Sequence, residues 1–161
     1  MPASGDNLQA LPEGTQLLWY RIERVLGQGG FGITYLAHDS NLDSQVAIKE
    51  YLPGALAVRG SDLTVLPSSV AVASDFAWGL ERFLDEGKTL AKFDHPGIVR
   101  VLSVFEQNGT AYLVMRYESG SPLNAVLERD GSLSGTRLRA ILVNIVDGLE
   151  QVHAAGFIHR D

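Results

Sequence analysis

Apolar and polar positions alternate from Leu17 to Leu26 (LLWYRIERVL) as they do in a half-buried strand, and the run leads directly into a glycine cluster, Gly27-Gln28-Gly29-Gly30-Phe31-Gly32. Ile33 to Ala37 is β-branched and aromatic, His38 to Asp43 is turn-like, and Gln45 to Lys49 is strand-like again. The pattern predicts strand, glycine loop, strand, turn, strand. Residues 51 to 74 are rich in Pro, Gly, Ser and Ala and keep no period, which predicts an irregular surface excursion with no chemistry assigned to it. From Asp75 to Phe93 the apolar residues Phe76, Leu80, Phe83, Leu84, Leu90 and Phe93 recur at roughly helical spacing. Asp75 is a suitable N-cap and Asp94-His95-Pro96-Gly97 a stop. Ile98 to Gln107 and Thr110 to Tyr117 read as strands around Asn108-Gly109, a strong two-residue hairpin signal. Ser119-Gly120-Ser121-Pro122 breaks the pattern. Leu123 to Arg129 predicts a short helix, and Thr136 to Ala155 a long amphipathic one closed by Gly156. Phe157 to Asp161 begins a new element. The sum is an α+β chain, five strands with one helix followed by helices, without internal repeats or low-complexity tracts.

Composition narrows the possible functions. A chain of 161 residues with 45% hydrophobic content suffices for one domain with a buried core. Thirteen Lys and Arg against nineteen Asp and Glu give a net charge of −6, and no Lys/Arg-rich run follows a phosphate backbone, so nucleic acid is not an expected partner. The absence of Cys excludes disulfides and thiolate metal sites and fits a reducing cytoplasm, the expected location. Residues 1–16 read as a flexible leader, polar with Pro and Gly and without the pattern of a signal peptide. The apolar stretches fall far short of the ~20 residues that a membrane-spanning helix needs, so no membrane segment is expected in this piece.

The glycines fit the pattern GxGxxG, which by itself is weak evidence of phosphate binding. A dinucleotide-binding oxidoreductase would use it with a helix directly after the loop, so that the pyrophosphate meets a helix N-terminus. Here a strand follows. Glycines at a hairpin tip have another use: with side chains missing, backbone N–H groups can close over triphosphate oxygens. The hairpin context fits this second use.

With Val46-Ala47-Ile48-Lys49, seventeen residues beyond the last loop glycine, the chain resembles the protein kinase family. The resemblance implies that residues 17–161 are the front of a kinase domain. On this reading 17–117 form a small lobe, a five-stranded antiparallel sheet with one helix, and 118–161 form the hinge and the first helices of a truncated helical large lobe. It implies ATP as ligand, with Gly27, Gln28, Gly29, Gly30, Phe31 and Gly32 over the phosphates and Lys49 on the α and β phosphates. A glutamate from the following helix would hold Lys49. Glu81, Asp85 and Glu86 are the candidates, and the family spacing to the helix stop selects Glu86, ten residues before Pro96. Ala111 to Glu118 (AYLVMRYE) looks like the last small-lobe strand and hinge. Met115 would be the gatekeeper, and the Arg116 carbonyl and Glu118 amide would meet the adenine edge. Thr34, Ala47 and Leu123 would sandwich the ring. His159-Arg160-Asp161 matches the start of the catalytic loop, with Asp161 orienting the attacking hydroxyl.

Gly-Gly-Phe-Gly-Ile-Thr-Tyr and Ile-Lys-Glu-Tyr-Leu-Pro are similar to bacterial Ser/Thr kinases of the eukaryotic type. Three departures stand out: Thr34 where Val is usual, an extended stretch between Lys49 and Glu86, and Pro122 where a polar ribose contact often sits. In the family Mg²⁺ is held by an Asn and a DFG Asp beyond the position of Asp161, so none of these 161 residues is assigned to a metal and the chain alone is expected to be inactive. Helix 136–155 is then expected to expose an apolar face. The alternative is a non-catalytic nucleotide-binding or docking remnant. The protein substrate cannot be read from this sequence.

Overall fold

A computed structural model describes residues 9–158, which divide into two compact units, one containing residues up to 91 with 101–117 and the other 92–100 with 118 onward. The first unit contains β1 (Gln16–Leu17), β2 (Tyr20–Gly29), β3 (Gly32–Asp39), β4 (Ser44–Tyr51), β5 (Ala57–Arg59), β6 (Val65–Pro67), a 3-10 turn at Val70–Val72, α1 (Ala73–Leu90), β7 (Val101–Gln107) and β8 (Thr110–Arg116). The second contains α2 (Leu123–Asp130) and α3 (Gly135–Ala154).

The main sheet runs β1-β2-β3-β4-β8-β7, with every neighbouring pair antiparallel. All five expected strands are present. The sixth, β1, arises because Leu18 has a φ of 52° and interrupts the run predicted from Leu17. In the turn after β3 the Asp39 carboxylate accepts the amides of Asn41 and Leu42 at 2.9 and 3.2 Å, the Asx-type geometry that its position favours. Asn108 and Gly109, with φ of 53° and 70°, supply the two left-handed residues of the β7–β8 hairpin.

Alternation along the strands separates two faces. On the outer face Ile22, Ile33, Tyr35, Val46, Ile48, Tyr112 and Val114 are buried under Leu11, Leu17, Ala57 and Val65. Each such aliphatic side chain contributes ~1.5–3 kcal/mol when fully buried. Residues 9–16, read from composition as part of a leader, therefore pack against the sheet through Leu11, whose amide donates to the Tyr35 hydroxyl at 3.0 Å.

The stretch expected to be an irregular surface excursion lies mostly at the surface but contains a small hairpin, buried through Ala57 and Val65. β5 and β6 form a hairpin with Val58 opposite Leu66. The hairpin docks through the Val65 amide, which donates to the Asn108 carbonyl at 2.7 Å. Three-residue strands are too short to show a period in sequence, and their stability comes from the sheet beneath them.

The other face carries α1. It begins at Ala73, two residues before the expected cap, and Asp75 lies in its first turn, where a carboxylate complements the helix dipole. The Tyr51 ring meets Phe76 and Phe83 at 5.4 and 5.6 Å, and its hydroxyl donates to the Phe76 carbonyl at 3.3 Å. Near the helix end a Cβ at Gly87 would come within 2.8 Å of Leu113 and 2.9 Å of Val104, so glycine allows α1 to approach closely.

In the second unit the Ser134 hydroxyl caps α3 by accepting the Arg137 amide at 3.3 Å. The His95 imidazole accepts the Gly97 amide at Nδ1 (3.0 Å), which makes Nε2 the protonated nitrogen that donates to Asp147 of α3 at 2.9 Å. The residue that the sequence marked as a helix stop thus also fastens its loop. Leu142, Val143 and Val146 of α3 are each at least half exposed, the expected apolar face. Among the described residues no helix is long and apolar enough to cross a membrane.

Candidate functional site

The sheet register brings the small-unit candidates together. Cross-strand partners share a face, as do residues two apart along a strand. Gly27 pairs with Thr34, Thr34 with Lys49 and Lys49 with Leu113, forming one row across four strands. In the next row Leu36 pairs with Ala47, Ala47 with Met115 and Met115 with Val101. Thr34, Ala47, Lys49 and Met115 therefore lie on one face, the face opposite Tyr35, Ile48 and Tyr112. Ala47 is nearly buried, whereas Thr34, Lys49 and Met115 are half-buried, so the patch has an apolar floor and one cation at its edge.

The glycine loop borders this face. Gly29 pairs with Gly32, leaving Gly30 and Phe31 at the tip with the Phe31 ring exposed. The four glycines differ in kind. A Cβ at Gly32 would lie 1.8 Å from the Glu50 carbonyl oxygen, so packing alone excludes a side chain there. At Gly27, Gly29 and Gly30 a Cβ would meet nothing within 4 Å and no left-handed φ is required. The protein's own packing does not demand glycine at these three positions.

α1 crosses the Lys49 face, since Gly87 faces Leu113, the cross-strand neighbour of Lys49. Glu86, half-buried, precedes it. The ion pairs among the described residues join Arg59 to Glu50, Arg100 to Asp94, and Arg129 and Arg137 to Asp130, with His38 beside Asp43 and His95 hydrogen-bonded to Asp147, and do not include Lys49 with Glu86. Arg116, opposite Val46 at the end of β8, is exposed. Glu118 and Leu123 belong to the second unit and are exposed there. His159, Arg160 and the candidate Asp161 lie outside the described residues.

Glu50 is not among the site residues expected from the sequence. It is fully buried on the outer face, and its carboxylate accepts the Tyr35 hydroxyl (2.8 Å), the Tyr112 hydroxyl (2.9 Å) and Arg59 Nη2 (2.5 Å). Burial, and next the Glu50 charge, push both tyrosine hydroxyls well above the ordinary phenol range. Arg59 also donates from Nε to the Gln9 carbonyl (2.8 Å) and from Nη1 to the Leu63 carbonyl (2.9 Å). A signal for Glu50 was present in the sequence, a charge at the inward position of the alternation Val46, Ile48, Glu50. No local pattern marked Arg59 as its partner.

Among the described residues no group of three or more His, Cys, Asp or Glu side chains could hold a metal ion.

Comparison with known proteins places these features in context. The protein kinase domain family model matches residues 20–161. The serine/threonine-protein kinase PknA of Mycobacterium tuberculosis (strain ATCC 25618 / H37Rv) is 37% identical over 147 residues, covering 88% of this chain and 30% of that protein. The serine/threonine-protein kinase PrkC of Bacillus subtilis (strain 168) is 31% identical over 142 residues, covering 88% of this chain and 19% of its own length. Among solved structures, PpkA-294 in its apo form superposes with a TM-score of 0.88 at 35% identity, over 95% of this chain and 55% of that one. The PknI kinase domain of M. tuberculosis gives a TM-score of 0.68 at 25% identity, over 94% of this chain and 54% of that one. The chain thus spans less than a third of these curated relatives and little more than half of these solved chains.

Proposed function

The chain belongs to the protein kinase family, among bacterial serine/threonine-protein kinases, and on that premise we propose that its residues hold ATP for transfer of the γ-phosphate to protein hydroxyls. The observation that carries this reading is the register that sets Gly27, Thr34, Ala47, Lys49 and Met115 on one face beside a glycine hairpin. Three of the loop glycines have no packing reason to be glycine, which fits backbone amides that a triphosphate must approach closely.

In this reading Ala47 and Thr34 contact the adenine ring, and Met115 stands as gatekeeper beside the main-chain carbonyl of Arg116. The Lys49 ammonium neutralises the α and β phosphates and Glu86 orients it, a pairing that nucleotide binding is expected to complete. Asp161 orients the substrate hydroxyl. Mg²⁺, when bound, would supply charge neutralisation to the triphosphate. None of these 161 residues is assigned to hold it, so the polypeptide of these residues alone is expected to bind nucleotide without significant phosphoryl transfer. ATP supply and the lack of Cys support a cytoplasmic setting for this piece.

The test is Lys49→Met, read as affinity for ATP and for adenosine in parallel. Lys49 is half-buried and forms no ion pair among those described, so its loss should leave the melting temperature nearly unchanged. ATP affinity should fall ~10-fold or more while adenosine affinity holds, and phosphoryl transfer by the full-length enzyme should fall at least ~100-fold. Equal loss of both ligands, or of neither, would remove Lys49 from the phosphate site.

A further inference from the structure

Lys49, Glu50 and Tyr51 are consecutive on β4, and each serves a different part of the fold. Lys49 faces the proposed phosphate site, Tyr51 holds the first half of α1, and Glu50 points the other way, into the buried network with Arg59. Both members of that ion pair are almost completely removed from water, with side-chain exposures of 0% for Glu50 and 3% for Arg59. Among the described residues no buried side-chain polar atom lacks a partner.

A buried ion pair is an inefficient source of stability, because desolvation of two charges offsets much of their attraction, and apolar residues of similar volume often serve as well. Directional bonds contribute something else, a fixed geometry. Here they converge on one strand from three sources. Tyr35 comes from β3, Tyr112 from β8, and Arg59 from a hairpin that is itself tied to Gln9 and Leu63. A strand held this way at residue 50 cannot slide or retwist without breaking several charged or hydrogen-bonded contacts, and residue 49 moves with it.

We propose that the Glu50–Arg59 pair is a positioning lock. It acts from the face opposite the nucleotide, fixing β4 so that the Lys49 ammonium stands at the phosphate end of the site. Neither residue touches nucleotide, and both act through Lys49. The hairpin β5–β6 and the Gln9 segment are the outer parts of this lock, which gives the extended stretch between Lys49 and α1 a role in nucleotide discrimination. The proposal rests on the assignment of Lys49 to phosphate.

The experiment compares the wild type with E50Q/R59M, R59K and K49M in the full-length protein. The double variant removes both charges together and keeps a hydrogen-bonding amide at position 50. The readouts are the melting temperature and the ratio of ATP to adenosine affinity, with KM for ATP and kcat recorded separately. The lock predicts that E50Q/R59M melts within a few degrees of the wild type while its ATP-to-adenosine ratio falls about tenfold, as a rise in KM exceeding any change in kcat. R59K keeps the charge but loses the forked contacts to Gln9 and Leu63, and should lie between the two. A double variant with a wild-type ratio overturns the proposal. If the double variant melts far below the wild type, R59K decides alone: a lowered ratio supports the lock and an unchanged one overturns it. K49M separates the lock from the phosphate assignment on which it rests. If K49M keeps the wild-type ratio, the phosphate assignment itself is wrong, whereas a lowered ratio in K49M with no change in the lock variants defeats the lock alone.

Discussion

The two faces of the six-stranded sheet are built from the same strands and follow opposite rules. On the outer face Glu50 is fully buried, Arg59 donates to four acceptors, and Leu11 and Val65 are buried. On the α1 face Lys49 is half-buried without a counter-ion among the described pairs, and three glycines stand clear of neighbouring atoms. Satisfied polar groups and close packing make a surface rigid, and unsatisfied ones leave it able to accept a ligand. The contrast indicates that the fold keeps its rigidity behind the site and its unused bonding capacity in front.

The largest expected effect comes from breaking the outer face on one side only. Arg59→Met leaves the Glu50 charge buried without its cation and should cost about 3–5 kcal/mol, measured by urea denaturation. The same change at an exposed arginine such as Arg21 should be nearly neutral.

Next in size is a change at the one loop glycine that belongs to the rigid side. Gly32→Ala drives a methyl into the Glu50 carbonyl and should destabilise by about 3 kcal/mol. Gly30→Ala meets no atom and should change stability by about 0.5 kcal/mol or less, while ATP affinity falls through the lost close approach of the backbone. A Gly30 variant that binds ATP normally would make the loop a structural turn and dissolve the contrast.

A gentler probe is alkaline pH. Burial and the Glu50 charge raise the Tyr35 and Tyr112 hydroxyls in the folded chain above their unfolded value near 10. The folded state therefore favours the neutral phenols, and this contribution is complete below about pH 10 and declines above it as the unfolded chain ionises first. Each tyrosine should contribute a slope of about 1.4 kcal/mol per pH unit there. Tyr35→Phe should flatten the dependence, with urea midpoints at successive alkaline pH values as the measurement.

The sequence alone determined what depends on local order. Strand alternation, the Asn108-Gly109 turn, the helical spacing of Phe76, Phe83 and Leu90, and the order of glycine loop and Lys49 are short-range signals, because side-chain period and turn conformation are properties of neighbouring residues. They carried the resemblance to the protein kinase family, and that resemblance implied the fold and nominated Lys49, Thr34, Ala47 and Met115, which the register then set on one face. Only the tertiary structure decided the rest. The hairpin of residues 57–67, the packing of Leu11, the pairing of Arg59 with Glu50 and the separation of Gly32 from the other loop glycines all depend on atoms far apart in the chain. A three-residue strand has no period to read, and a buried carboxylate looks like any other Glu until its partners arrive from β3, β8 and the hairpin.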